Sequence, residues 1–246
     1  MVFLPNFKLT IAYDGTNFAG FQKQKNTPQT IQGILEEKLH KILKEPVKVI
    51  GAGRTDAGVH ALGQVVNFSA PWKAPVDKIP EILNNALPTS IRVLEAEIVP
   101  DDFHARYSAL KKEYRYYLYY GPPSPFYERY AWALPQKLDR ERVAKALEYL
   151  IGTHNFSGFG ATGSSGKNPV KTMFEASYRE DGFLGYFTFV ADSFLYKMAR
   201  ILTGTLVEIG LNGYPERIKE ILTTGNKKLA GKTAPAHGLF LVKVFY

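Results

Sequence analysis

Residues 7–15, FKLTIAYDG, alternate apolar and polar side chains and end on Asp-Gly, the pattern of a half-buried strand entering a turn. Residues 16–26, TNFAGFQKQKN, are polar and contain glycine, and read as a loop. From Pro28 the period changes. Ile31, Leu35, Leu39 and Ile42 recur at helical spacing, with Thr27 as N-cap and Pro28 in the first turn. VKVIGAG predicts a short strand running into a glycine turn, and residues 61–68 predict the next strand. A short helix over 80–85 and a strand over 91–99, IRVLEAEIV, complete the first half. Strand, helix, strand, strand, helix, strand is the order of a ferredoxin-like split βαβ unit.

DDFHARYSALKK, from Asp101, reads as the crossing between halves. EYRYYLYYG, 113–121, is a tyrosine-rich strand, and 138–150 a helix with Val143, Ala146, Leu147 and Leu150 on one face. NFSGFGATGSSGKNPV is a loop, followed by strands over 170–179 and 183–190 paired across Glu-Asp-Gly. FLYKMARILTGTLVEIG, 194–210, carries the apolar stripe Leu195, Met198, Leu202, Leu206 and Ile209 of a long helix. A shorter helix over 214–222, with Pro215 early in it, and a closing strand in GLFLVKVFY end the chain. The second half thus repeats the element order of the first, with insertions but no clear sequence repeat. The expectation is an α/β protein of two similar halves, residues 1–105 and 106–246.

Composition fits a globular chain: 246 residues, 45% apolar, 22% charged and 13% aromatic. The absence of cysteine excludes disulfides, cysteine-ligated zinc and thiol catalysis. The start, MVFLPNFKL, lacks a basic segment followed by a long apolar run, and no stretch reaches the ~18 apolar residues of a membrane span. A cytoplasmic protein without a membrane segment is expected. The net charge of +8 is uneven: residues 1–105 hold 11 Lys/Arg and 11 Asp/Glu, whereas residues 106–246 hold 20 and 12. A basic second half suits a phosphate backbone as partner.

GAGRTDAGVHALGQVVNF, 51–68, then stands out. Gly51, Gly53 and Gly58 permit tight backbone, and Thr55 or Asp56 can cap a turn by accepting N–H groups. A turn does not need Arg54, however. An arginine can grip phosphates or stack on bases, and an aspartate exposed on a rigid bend can serve as nucleophile or base.

GRTDAGVHA, 53–61, closely resembles the signature of the tRNA pseudouridine synthases of the TruA family, which modify positions 38 to 40 of the anticodon arm. The resemblance runs in order over nearly the whole chain: AYDGTNFAGFQ, then TIQG ahead of Leu35, HARYSALKKEYRYYLY, KNPVKTM, FLYKMARILTGTLVEIG and APAHGLFL. It implies the pseudouridine-synthase fold, two ferredoxin-like or RRM-like halves with joined, antiparallel-rich sheets around a central cleft. It implies an isomerase that detaches uracil at N1 and reattaches it through C5 without ATP, redox cofactor or metal, acting on tRNA as a homodimer. Asp56 takes the place of the catalytic aspartate, acting at ribose C1′, at base C6 or on a glycal-type intermediate. Arg54 matches the arginine that contacts RNA and holds the target base out of the stack. Tyr114 matches the tyrosine beneath the uracil, for stacking or proton transfer. Arg200 matches the partner that keeps the aspartate ionised and oriented.

Further residues enter as substrate-binding candidates. Thr55 and His60 flank the aspartate, His60 orienting the turn or touching RNA. Asp14, Phe21 and Gln22 lie on the first loop, whose match suggests RNA positioning. Arg106, Lys111, Lys167 and Lys171, with Lys23, Lys25 and Lys112, suit a phosphate track. Lys197 departs from the histidine common in the family, and a phosphate contact is expected of it. GATGSSGKN ends in Asn and so lacks the Ser or Thr of a nucleotide-triphosphate loop. Two rival readings stand beside the isomerase. A non-catalytic RNA-binding protein of two RRM-like units has little use for a carboxylate aimed at anionic RNA. A metal-dependent nuclease or phosphatase lacks a carboxylate pair converging on Asp56.

Overall fold

Phe7, Leu9, Ile11 and Tyr13 alternate to one face of Asn6–Tyr13, the first strand (β1), and all four are buried. In this computed structural model, which describes residues 4–163 and 168–246, the chain divides into two compact units, Met1–Leu110 with Leu241–Tyr246, and Lys111–Phe240.

In the first unit β1 is followed by a helix, Ile31–Leu43 (α1), a two-residue strand, Ile50–Gly51 (β2), and a long strand, His60–Ser69 (β3). A helix, Ile79–Ala86 (α2), and a strand, Ile91–Val99 (β4), complete it. Both β3 and β4 pair antiparallel with β1, and β2 pairs with β3. The order β4-β1-β3-β2 is the ferredoxin-like arrangement that the element order predicts. Ile31, Leu35 and Leu39 of α1 and Ile79 and Leu83 of α2 join the buried face of β1 in the core. Each such side chain contributes roughly 1.5–3 kcal/mol when fully buried.

The start of α1 differs from expectation. Thr30 is the N-cap: its backbone is extended (φ −128°, ψ 148°) and its hydroxyl accepts the Gly33 N–H at 3.2 Å. Pro28 lies before the helix, where its carbonyl accepts the Thr30 N–H at 2.8 Å. The sequence TPQT offers two capping threonines, and the second one is used.

The second unit opens with a strand, Lys111–Tyr119 (β5), beside which Trp132–Ala133 (β6) pairs in parallel. A helix, Arg140–Glu148 (α3), starts at Asp139, whose carboxylate accepts the Arg142 N–H. Three strands follow, Gly152–Asn155 (β7), Val170–Asp181 (β8) and Leu184–Ala191 (β9), and then two helices, Met198–Asn212 (α4) and Arg217–Thr224 (α5). The strand order is β5-β9-β8-β7, all antiparallel, so β5-β9-β8 repeats the β1-β3-β2 order of the first unit. The short strands β6 and β7 carry no sequence periodicity and were not expected. Leu239–Phe245 (β10) lies beside β3.

The expected helix over 194–210 begins only at Met198. Lys197 adopts a left-handed conformation (φ 59°), which a helix cannot continue through. Among the described residues no helix is long and apolar enough to cross a membrane.

Candidate active site

The aspartate turn is held on every side by backbone and buried polar groups. Val59 N–H donates to Asp56 O at 3.1 Å, closing a β-turn whose third residue, Gly58, has φ 77°, a value suited to glycine. Burial alternates along the loop: Arg54 is exposed, Thr55 buried and Asp56 half-buried. Thr55 is therefore the anchor, Arg54 the outward arm, and Asp56 sits at the boundary with solvent.

Beneath the loop, fully buried Gln64 on β3 uses its amide in both directions. Its Oε1 accepts the Gly53 N–H at 3.2 Å, and its Nε2 donates to Gly53 O at 3.0 Å and to the Tyr13 hydroxyl at 3.5 Å. The Tyr13 and Thr55 hydroxyls lie 2.8 Å apart. Burial pushes the Tyr13 phenol up to about 12, against the weaker opposing effect of the Thr55 and Gln64 hydrogen bonds, so it stays neutral near pH 7.

The first loop braces the same turn. Phe21 N–H donates to Thr55 O at 3.0 Å, while Gly20 O and Phe21 O accept from Ile31 and Gln32 at the start of α1. Gly20 has φ 94°, and a Cβ there would lie 2.8 Å from Thr55 O. Only glycine lets this loop approach the aspartate turn so closely. Phe21 is 2% exposed and packs on Gly51, so it supports the loop from within. Gln22 donates to Gln32, whose own amide donates to Val49 O, tying the loop to α1 and the approach to β2.

Asp14 accepts from the Thr16 N–H and hydroxyl, forming an Asx-type turn. His60, 1% exposed, accepts the Gly15 N–H on Nδ1 at 3.0 Å. Its Nδ1 also lies 3.2 Å from Asp14 Oδ1, which would form an ion pair only if that nitrogen carried a proton. The two roles exclude each other. As the acceptor of the Gly15 N–H, His60 fixes the backbone of the turn. Gln64, Tyr13 and Gly20 were not singled out from the sequence. The only signal was a glutamine inside the apolar run ALGQVVNF.

In the second unit, Tyr114 on β5 is buried, opposite Phe189 in register, with the Phe194 ring edge-on at 4.9 Å. Arg200, half-buried, lies in the first turn of α4. Its Nε donates to Ala234 O at 2.8 Å, and Ala234 N–H donates back to Arg200 O at 3.1 Å. Its charge helps lower His237, where burial is the larger cause, and opposes the upward push of burial on Tyr116. Lys197, the residue before α4, holds its ammonium 5.1 Å from the Tyr196 ring centre.

Each cation candidate has its own local neighbours. The Arg106 guanidinium lies 5.8 Å from the Tyr107 ring centre, the Lys111 ammonium 6.0 Å from that of Phe174, and Lys171 sits on β8 opposite His154. Lys23 pairs with Glu36 at 2.8 Å. Lys167 lies outside the described residues. Among the described residues no three His, Asp or Glu side chains gather so that they could hold a metal ion.

Fold and site together define an α/β protein of two units alike in strand order, with a half-buried carboxylate on a rigid turn of the first, and similarity to known proteins supplies the family. A family model described as tRNA pseudouridine synthase matches residues 9–108 and 146–246. The chain belongs to that family. It is 46% identical over 246 residues to the tRNA pseudouridine synthase A of Moorella thermoacetica, covering 99% of this chain and 100% of that one. The protein of the same name from Acetivibrio thermocellus is 44% identical over 243 residues, covering 98% and 99%. That from Bacillus licheniformis is 45% identical over 244 residues, covering 97% and 98%.

Proposed function

We propose that the protein isomerises uridine to pseudouridine in the anticodon arm of tRNA, at positions among 38 to 40, with Asp56 as the catalytic carboxylate. The observation that carries this reading is the turn itself. Asp56 is half-exposed while the residues around it are fixed by Gln64, Tyr13, Thr55, Phe21 and His60. Such preorganisation is what charge stabilisation in a reaction needs.

The reaction breaks the N1–C1′ bond, turns the uracil, forms the C5–C1′ bond, and exchanges the C5 proton for one on N1. Asp56 acts on the ribose C1′, on the base C6 or on a glycal-type intermediate. The target nucleotide is first flipped from the stack, a step assigned to exposed Arg54. Tyr114 meets the uracil, by stacking or as a proton carrier, and Arg200 keeps Asp56 ionised and oriented. Arg106, Lys111, Lys167, Lys171 and Lys197 serve phosphates. The protein works as a cytoplasmic homodimer that needs no cofactor, in line with the family resemblance.

The test uses tRNA transcripts with uridine at positions 38, 39 and 40, mapped for pseudouridine. Asp56→Asn is expected to lose at least about 10³-fold in rate while tRNA affinity stays within a few-fold. Full activity of Asp56→Asn refutes the mechanism. Tight tRNA binding by the wild type with no pseudouridine formed would favour the non-catalytic RNA-binding reading instead.

A further inference from the structure

We infer that residues 230–235 form a strap across α4 that sets the plane of the Arg200 guanidinium, and that Tyr116 is the positioning residue that holds the strap in place. Three observations converge on this. At one end, Gly231 N–H donates to the Thr205 hydroxyl at 2.8 Å, and Lys232 N–H donates to Glu208 at 3.0 Å. In the middle, Gly204 of α4 faces the Lys232 carbonyl oxygen so closely that a Cβ at 204 would overlap it. At the other end, Ala234 and Arg200 exchange two hydrogen bonds, and Tyr116 donates its hydroxyl to Pro235 O at 2.8 Å.

A guanidinium is planar, so a hydrogen bond at Nε fixes the direction in which its two terminal nitrogens point. The Ala234 carbonyl therefore aims Arg200, and whatever holds that carbonyl controls the aim. The next carbonyl along is Pro235 O, and Tyr116 binds it from inside the core. Tyr116 is fully buried, and burial raises its phenol far above the usual range, so the hydroxyl remains a donor across the working pH. The ring itself fills the core of the second unit, but its hydroxyl acts outward, on the strap.

This inference rests on the role proposed for Arg200, and the experiment separates the two. Single-turnover pseudouridine formation and tRNA affinity are measured for Tyr116→Phe, Arg200→Ala, Arg200→Lys and the Tyr116→Phe/Arg200→Ala double variant. Tyr116→Phe is expected to slow the reaction roughly tenfold with tRNA affinity within twofold of wild type, and to add no further loss in the Arg200→Ala background. Arg200→Lys, which keeps the charge but has no Nε, is expected to be about as slow as Arg200→Ala. A wild-type rate in folded Tyr116→Phe, or losses that multiply in the double variant, overturns the strap's role. Should Tyr116→Phe fail to fold, Arg200→Lys decides alone: a wild-type rate there shows that the Ala234 anchor is not needed. A wild-type rate in Arg200→Ala overturns the proposed role of Arg200 instead.

Discussion

Tyr13 shows how a single side chain links the core to the chemistry. Its ring belongs to the buried face of β1, and its hydroxyl lies 2.8 Å from the Thr55 hydroxyl, one residue from Asp56. Its phenol, about 12 in the folded protein against 10 in a free side chain, sets a sign for alkaline stability. The unfolded chain loses this proton first, so the stabilisation is complete below pH 10 and disappears as pH rises from 10 to 12. It amounts to ~2–3 kcal/mol. The phenols of Tyr116, Tyr120, Tyr178 and Tyr246 are raised as well and act in the same direction. Thermal melts across this range should show a steep loss of Tm, and Tyr13→Phe should make it visibly shallower. A melting temperature unchanged from pH 10 to pH 12 would contradict the buried, neutral phenol. The sequence pointed to Tyr13 only as one apolar position of a strand. Its hydroxyl gains a role because β1 and the aspartate turn, 42 residues apart, are brought together.

At the scale of elements, the start of α1 decides how firmly the first loop braces the turn. Gly20 O and Phe21 O accept from the first residues of α1, while Phe21 N–H donates to Thr55 O, so fraying of this helix end loosens the loop. Thr30→Ala should cost about 1 kcal/mol, the usual worth of an N-cap, whereas Thr27→Ala should cost only a few tenths. Urea unfolding of both variants checks the difference, and equal losses would mean that the cap is misassigned. Element positions were largely legible from periodicity: the strand over 91–99 was found with its observed ends, and α2 to within a residue or so. What failed were boundaries set by one backbone angle or one hydrogen bond. Lys197 at φ 59° delays α4 by four residues from Phe194, and the cap falls on Thr30 instead of the expected Thr27. Neither is a matter of hydrophobic pattern.

For the whole molecule, charge is the property that reaches furthest. The net +8 arises entirely beyond residue 105, so most of the attraction for a polyanion comes from the second half. tRNA affinity should fall steeply with salt, each phosphate contact adding about 0.7–0.9 to the log–log slope. Lys171→Ala should reduce that slope by about 1 and weaken different tRNAs alike, as loss of a phosphate contact does. Lys41→Ala, whose ammonium already pairs with Glu37 at 2.7 Å, should leave it unchanged. Filter-binding titrations from about 50 to 200 mM salt would show this, and a flat salt dependence would argue against a backbone-gripping surface.

The sequence by itself determined the repeated α/β order, the charge asymmetry and the aspartate turn, because these depend on periodicity, composition and a contiguous motif. Only the tertiary structure decided which groups hold that motif still. Gln64 bonds Gly53 across a turn, Gly20 backs onto Thr55, and the Ala234 carbonyl aims Arg200 from 34 residues away. Contacts of this kind leave no periodic trace, since a hydrogen bond depends on where folding places its two ends and not on how far apart they lie in the chain.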